Sequence, residues 1–363
     1  MAPTVNYFRK DAKTAYEAAS EAQRIAFAPI VFQACRVLRN SGVLELIRQS
    51  GDAGLSPNEV AAGIDLPRYG IKVLLEAGAG IGLFCLNDGR FALTKLGYFI
   101  LRDPMTRINM DVVHEVCYRG MFDLDKAIQE GKPAGLKTLG GWKTFYEGLS
   151  SLPSRARESW LAFDHHYSDM AFPAALPLVF ADHPRRLLDV GGNTGKWAVQ
   201  CAKFDPDVKV TIADLPQQLD FARETIHKEH LEDRVTFLAL DALDESKPFP
   251  EGFDVVWMSQ FLDCFSEREI VSILQRAVRS LTTGGILYIL ELFWDRQPNE
   301  TAAFCLQQIS LYFACIANGN SQMYCSADMM RCLDESGLEL LEEHDGIGQY
   351  HTLLKCRKVK PAK

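Results

Sequence analysis

The chain has 363 residues, 47% of them hydrophobic and 24% charged, with 39 basic against 47 acidic side chains and a net charge of −8. That composition supports full apolar cores in about two domains and excludes disordered and low-complexity architectures. The acidic balance gives no general pull toward nucleic acid or an anionic membrane, so neither is expected as a partner. The ten cysteines contain no Cys-x-x-Cys pair and no Cys/His cluster at zinc spacing. They therefore read as free thiols in a reducing compartment, with no metal. No apolar signal core and no run of about 18 apolar residues occurs, so a soluble, cytoplasmic protein is expected.

From residue 14 to about 150 the pattern is mainly helical. Apolar residues recur at helical spacing through Arg24–Gln49, and Gly42 marks a break. Ser56-Pro57-Asn58-Glu59 follows, with Ser56 as N-cap, Pro57 at the first helical position and Glu59 at the third, the pattern of a capping box. A second short helix is predicted over about Arg68–Gly80. Two apolar runs around Asn87-Asp88-Gly89 then predict a hairpin. Helix, helix, hairpin describes a winged helix. Its second helix carries one lysine, Lys72, among many apolar residues, which favours packing and dimerisation over DNA reading.

From Arg185 the texture changes. Short runs, each mostly β-branched or otherwise apolar, start at Arg186, Val208, Val235, Phe253 and Gly285 and alternate with helix-length segments such as Gln217–His230 and Ser266–Leu281. This predicts an α/β fold with a doubly wound parallel sheet. Leu338–His344 and Tyr350–Lys358, joined through Asp345-Gly346, are expected to close it as an antiparallel hairpin.

The strongest motif is Asp189-Val190-Gly191-Gly192-Asn193-Thr194-Gly195, where the first strand turns into a helix. Glycines there allow positive φ and close approach of the backbone to a ligand at the strand tips. Asn193 and Lys196 stand where a dinucleotide fingerprint needs glycines, and Lys196 precedes Trp197, so a P-loop is also absent. Asp214 ends the second strand at the spacing of an acid that binds ribose hydroxyls, and Asp241 ends the third, placed to accept from an adenine amino group.

With Asp214-Leu215-Pro216, Asp241-Ala242, Gly42-Val43-Leu44 and Phe91-Ala92-Leu93-Thr94-Lys95-Leu96-Gly97, this constellation resembles the class I S-adenosylmethionine-dependent O-methyltransferases of the caffeate and acetylserotonin type and their bacterial natural-product relatives. The resemblance implies a Rossmann-like methyltransferase domain, S-adenosylmethionine as cofactor, a small-molecule acceptor and a homodimer. The implied organisation is a helical, winged-helix dimerisation domain over 1–110, a helical linker contributing to the substrate pocket over 111–180, and a cofactor domain over 181–363. The cofactor set it implies is Asp189, Gly191, Gly192, Asn193, Gly195, Asp214, Leu215, Asp241, Ala242, Ser259 and Ser168.

The family's Leu-His-Asp-Trp signature is replaced by Leu262-Asp263-Cys264-Phe265, so Asp263 stands where the general-base histidine belongs. Glu291 matches one of the two carboxylates that orient that histidine, and no acid occurs near Gln322 or Met323 for the second. A carboxylate in an apolar pocket beside Phe261 and Phe265 has a raised pKa and can serve as base. His165 and His166 are spare candidates, of which only one can face the pocket, and His166 is assigned to the site. Phe261, Tyr312 and Met323 are assigned to the acceptor, within a Phe, Tyr, Cys and Met-rich stretch that suits a flat aromatic or polyketide-like molecule but equally reads as core. Cys264 reads as a small side chain filling the space of a larger one. The leading expectation is methyl transfer to a hydroxyl. The alternatives are a relative that holds the cofactor for decarboxylation, hydroxylation or cyclisation, and a winged-helix regulator that binds DNA.

Overall fold

The computed structural model describes residues 10–359. The chain divides into two compact units, one ending at Val113 and the other beginning at His114. From residue 114 onward, the helical segment 111–180 falls in the second unit.

The first unit is the helix, helix, hairpin element with helices before and after it. Gly42 takes φ +84° between the helices Ala28–Asn40 and Val43–Gln49. Ser56 and Glu59 form the capping box on Pro57–Gly63, each bonding the other's backbone N–H. Helix Arg68–Ile81 packs on the hairpin of β1 (Phe84–Asn87) and β2 (Arg90–Leu93), whose turn residues Asp88 and Gly89 both have positive φ. Leu38, Leu44, Ile47, Ile71, Leu75 and Phe84 fill the core. Gly78 lets the ring of Phe84 approach, since a Cβ there would stand 2.5 Å from it.

The second unit is built on seven strands: β3 (Arg186–Val190), β4 (Lys209–Asp214), β5 (Val235–Ala239), β6 (Phe253–Ser259), β7 (Leu281–Glu291), β8 (Leu338–Ile347) and β9 (His351–Lys358). Their order is β5-β4-β3-β6-β7-β9-β8. β3 to β7 pair in parallel, and β9 runs antiparallel to both β7 and β8. Apolar clusters cover both faces, which is why these strands lack a polar-apolar alternation. β3 has β4 on one side and β6 on the other, so the chain winds outward from it in both directions and opens a crevice beyond its carboxyl end. The helix Ser154–Val179, with Pro173 and Pro177 in its second half, runs into this unit ahead of β3. Among the described residues no helix is long and apolar enough to cross a membrane.

One contact locks the first helix to the sheet beneath the crevice. Trp197, on the helix Lys196–Phe204, stacks on Trp257 of β6, ring centroids 4.0 Å apart and planes within 13°. Both rings are buried. Trp257→Ala is expected to lower stability by about 3–5 kcal/mol, measured as a shifted urea midpoint, whereas a shift of a few tenths would show that the stack carries little.

Candidate active site

The crevice contains a cavity of about 310 Å³ at the carboxyl ends of the strands. Its floor is the loop after β3. Gly191 has φ +75°, and a Cβ there would stand 2.2 Å from the ring of Phe261. A Cβ on Gly192 would stand 2.6 Å from Asp189 Oδ2. Asn193 also sits in the left-handed region, a conformation asparagine tolerates, and its N–H donates to Asp214 Oδ2 at 2.8 Å. Asp214 Oδ1 accepts from the N–H of Leu215 at 2.7 Å. Each oxygen keeps a second lone pair for a ligand.

Asp189, Gly191, Gly192, Asn193, Asp214, Leu215, Asp241, Ala242, Ser259 and Ser168 all line the cavity, as do Asp263, Phe261, Tyr312 and Met323. Asp241 accepts from the N–H of Leu243 at 2.9 Å. The Ser168 hydroxyl donates back to the carbonyl of Asp164 at 3.1 Å, leaving its oxygen as acceptor.

Three assigned residues are placed differently. Gly195 is outside the lining. Its φ of +77° starts the helix Lys196–Phe204 and keeps a Cβ off Ile212 and Ala222. His166 is also outside the lining and lies edge-on to Tyr167, whereas His165 faces the cavity with Nε2 3.2 Å from Thr194 Oγ1. Neighbours on a helix point about 100° apart, and the phase here selects His165. Burial and Lys196 lower the pKa of His165. Glu291 lies behind the wall rather than in it. Its Oε1 accepts from the N–H groups of Phe261 (3.0 Å) and Leu262 (2.8 Å). It therefore holds the turn that presents Asp263, in a protein with no histidine there to orient.

The cavity also contains groups that no sequence motif marked. The Cys264 thiol donates to Tyr146 Oη at 3.0 Å and lies 3.4 Å from Asp263 Oδ1. Burial pushes that thiol well above its usual value, so it stays neutral and fills space. Trp160 Nε1 donates to Tyr312 Oη at 3.1 Å, and Phe145 packs against both rings. Asp164 is half-buried in the wall and accepts from Asn193 Nδ2 at 2.9 Å. Only the Asp-His-His run around it was visible in the sequence, and there the histidines drew the attention. All ten cysteines are free, six of them buried: Cys35, Cys117, Cys201, Cys315, Cys332 and Cys356.

Carboxyls crowd this cavity, and burial dominates their titration. Burial, with the Asp214 charge adding, raises Asp189 to about 8. Burial, then the charges of Asp263 and Asp169, raise Asp164 to about 7. Burial likewise raises Asp263 and Glu291, a coupled pair in which Glu291 ends well above its ordinary value.

Comparison with known proteins agrees with this geometry. Residues 122–337 match the O-methyltransferase domain family and residues 20–91 match the Dimerisation2-like domain family. The chain belongs to the O-methyltransferase family, and its cofactor is S-adenosylmethionine. It is similar to L-tyrosine C(3)-methyltransferase of Streptomyces lavendulae, 23% identical over 317 residues that span 86% of this chain and 85% of that protein. It is also similar to aclacinomycin 10-hydroxylase RdmB of Streptomyces purpurascens, 30% identical over 185 residues, 51% of this chain and 47% of the relative. Among solved structures it resembles the apo form of the S-adenosylmethionine-dependent methyltransferase SibL, with TM-score 0.70 and 25% identity over 94% of this chain and 99% of that one.

The residues fit such a cofactor. Asp189 Oδ2, Asn193 Oδ1 and Ser259 Oγ are buried polar atoms in the lining without a protein partner, and the two glycines leave the loop bare of side chains.

The raised carboxyls set a pH dependence. An acid whose folded pKa lies above its unfolded value holds its proton longer when folded, so stability falls as pH rises between the two values. For Asp164 and Asp189 that window runs from about 4 to about 8. His351, lowered to about 4 by burial, acts only below its ordinary range and leaves the upper part of the window unaffected. The melting temperature of the ligand-free protein should therefore drop between pH 6.5 and 8.5, and drop less in Asp189→Asn. A flat profile would refute the assignment.

Proposed function

We propose that this chain transfers the methyl group of S-adenosylmethionine to a hydroxyl of a small aromatic acceptor, with Asp263 as general base. The supporting observation is that Asp263 and the glycine-rich loop line one and the same cavity. On this reading Asp214 would take the ribose hydroxyls, and Asp241 with Ala242 the adenine. Bound there, the cofactor supplies a methyl carbon activated by a sulfonium leaving group. The protein contributes position and a proton acceptor. Phe261 and Phe265, with centroids 4.9 Å apart, line the same cavity on either side of Asp263 in the turn, and Glu291 fixes that turn. An ionised Asp263 takes the hydroxyl proton as the oxygen attacks, so the rate should fall on the acid side as this buried carboxyl protonates.

Asp263→Asn keeps shape and removes the base. A transfer assay with labelled methyl groups over a panel of phenols should show kcat reduced roughly 10²–10⁴-fold, with binding of S-adenosylhomocysteine by calorimetry unchanged. A loss below tenfold would assign the proton elsewhere. A second reading, in which the cofactor is held without methyl transfer, is favoured by the absent histidine and by the similarity to a 10-hydroxylase. Cofactor binding without any labelled product would select it.

We also infer a homodimer through the first unit. Helix Ala15–Ala26 buries none of its residues within the chain, and Tyr16, Ile25, Phe27 and Ile30 are 83%, 69%, 56% and 65% exposed. Apolar exposure on this scale marks an interface. Light scattering should give twice the chain mass, and Ile25→Glu combined with Ile30→Glu should give the monomer. An unchanged mass in the double variant would place the interface elsewhere.

A further inference from the structure

The cavity wall carries more carboxyls than its one cation, Lys196, offsets. S-adenosylmethionine has a sulfonium, an ammonium and a carboxylate, one net positive charge. Asp189, Asp214 and Asp241 already stand at the strand tips assigned to it. Asp164 and Asp263 come from two other elements, the helix Ser154–Val179 and the turn after β6, and face the same space. Among the described residues Lys196 is the single lysine or arginine in the lining, and Asp169 holds it at 2.6 Å. His165 Nε2 lies 4.0 Å from Asp164 Oδ2 but nearer Thr194 Oγ1. The one hydrogen bond given to the Asp164 carboxylate is from the neutral amide of Asn193. Asp263 is 5% exposed, faces the cavity, and receives from side chains only the weak Cys264 thiol donor. Two carboxylates thus await donors of a ligand at two separate points. Around them stand aromatic rings, Tyr146, Trp160, Phe163, Phe265 and Tyr312. Carboxylate plus aromatic faces is the chemistry that selects an ammonium. An anionic acceptor would meet repulsion here.

We propose that the acceptor is an aromatic ring compound carrying a protonated amine, that Asp164 binds the ammonium against the aromatic wall, and that Asp263 is thereby left for the acceptor hydroxyl. This rests on the methyl-transfer reading of the same cavity and adds the class of acceptor. A cation at Asp164 also favours the ionised form of Asp263, the form a base needs.

The test uses two ring compounds of like shape, tyramine and 4-ethylphenol, titrated into the full-length protein saturated with S-adenosylhomocysteine. Tyramine should bind roughly ten- to a hundredfold more tightly. In Asp164→Asn that preference should vanish, while S-adenosylhomocysteine binds within about threefold of wild type. The proposal is overturned if tyramine gains nothing over 4-ethylphenol in the wild type, failure of both to bind included. It is equally overturned if Asp164→Asn weakens S-adenosylhomocysteine while the preference persists, because Asp164 then serves the cofactor. Failure of the wild type to bind S-adenosylhomocysteine would instead remove the methyl-transfer reading. Labelled methyl transfer to neutral phenols with no preference for amines would leave that reading standing and sink this one.

Discussion

The site hangs on one buried carboxyl. Glu291, at the last position of β7, accepts from the N–H groups of Phe261 and Leu262 in the turn after β6. Those two donors would otherwise lack partners, and for the buried Leu262 N–H that costs about 1–3 kcal/mol. Their capture fixes where the turn leaves the sheet, and three features follow. Asp263 is presented to the cavity. Phe261 lies over the loop after β3, so close that residue 191 has no room for a Cβ. Cys264 reaches Tyr146, from the segment ahead of β3, and ties the acceptor wall to the turn. The loop after β3, Asp263 and Tyr146 are thus mutually positioned through one carboxyl that lies outside the cavity lining.

Electrostatics explains why this arrangement favours ligands. Asp164, Asp189, Asp263 and Glu291 are held where their charged forms are poorly solvated, and all four titrate above their ordinary range. The ligand-free protein carries this crowding as a destabilising load that grows with pH. A bound cation relieves it, so folding stability and ligand affinity are coupled through the same carboxyls.

The fold was legible because its determinants are local. The Ser56–Glu59 capping box, the Asp88-Gly89 turn and the apolar runs of β3 to β7 each act within a few residues, and the structure has all of them. The glycine-rich loop was legible for the same reason. The acceptor wall was not. Tyr146, Asp164 and Cys264 meet only once residues more than 100 positions apart in sequence are brought together, as in the Cys264–Tyr146 contact. The choice between His165 and His166 turned on helical phase, which a prolines-bearing, mostly buried helix does not display in its pattern. Glu291 was recognised as important, but its role changed. Without a histidine at position 263 a carboxyl there has no imidazole to orient, and its lone pairs go to backbone N–H groups instead.

That change bears on how an aspartate can stand in a histidine's place. An imidazole works near neutrality because its own pKa lies there, whereas a solvated aspartate is too weak a base by more than two units. Burial beside Phe261 and Phe265 raises it to about 6. A carboxyl shifted that far is still ionised near neutrality and is a stronger base than a solvated aspartate. A positive charge in the cavity would keep it ionised to lower pH. The sulfonium would be one source, and the ammonium proposed for Asp164 would be a second. On that proposal, recognition of the acceptor and ionisation of the base would reinforce each other, which would tie specificity to rate and not to binding alone.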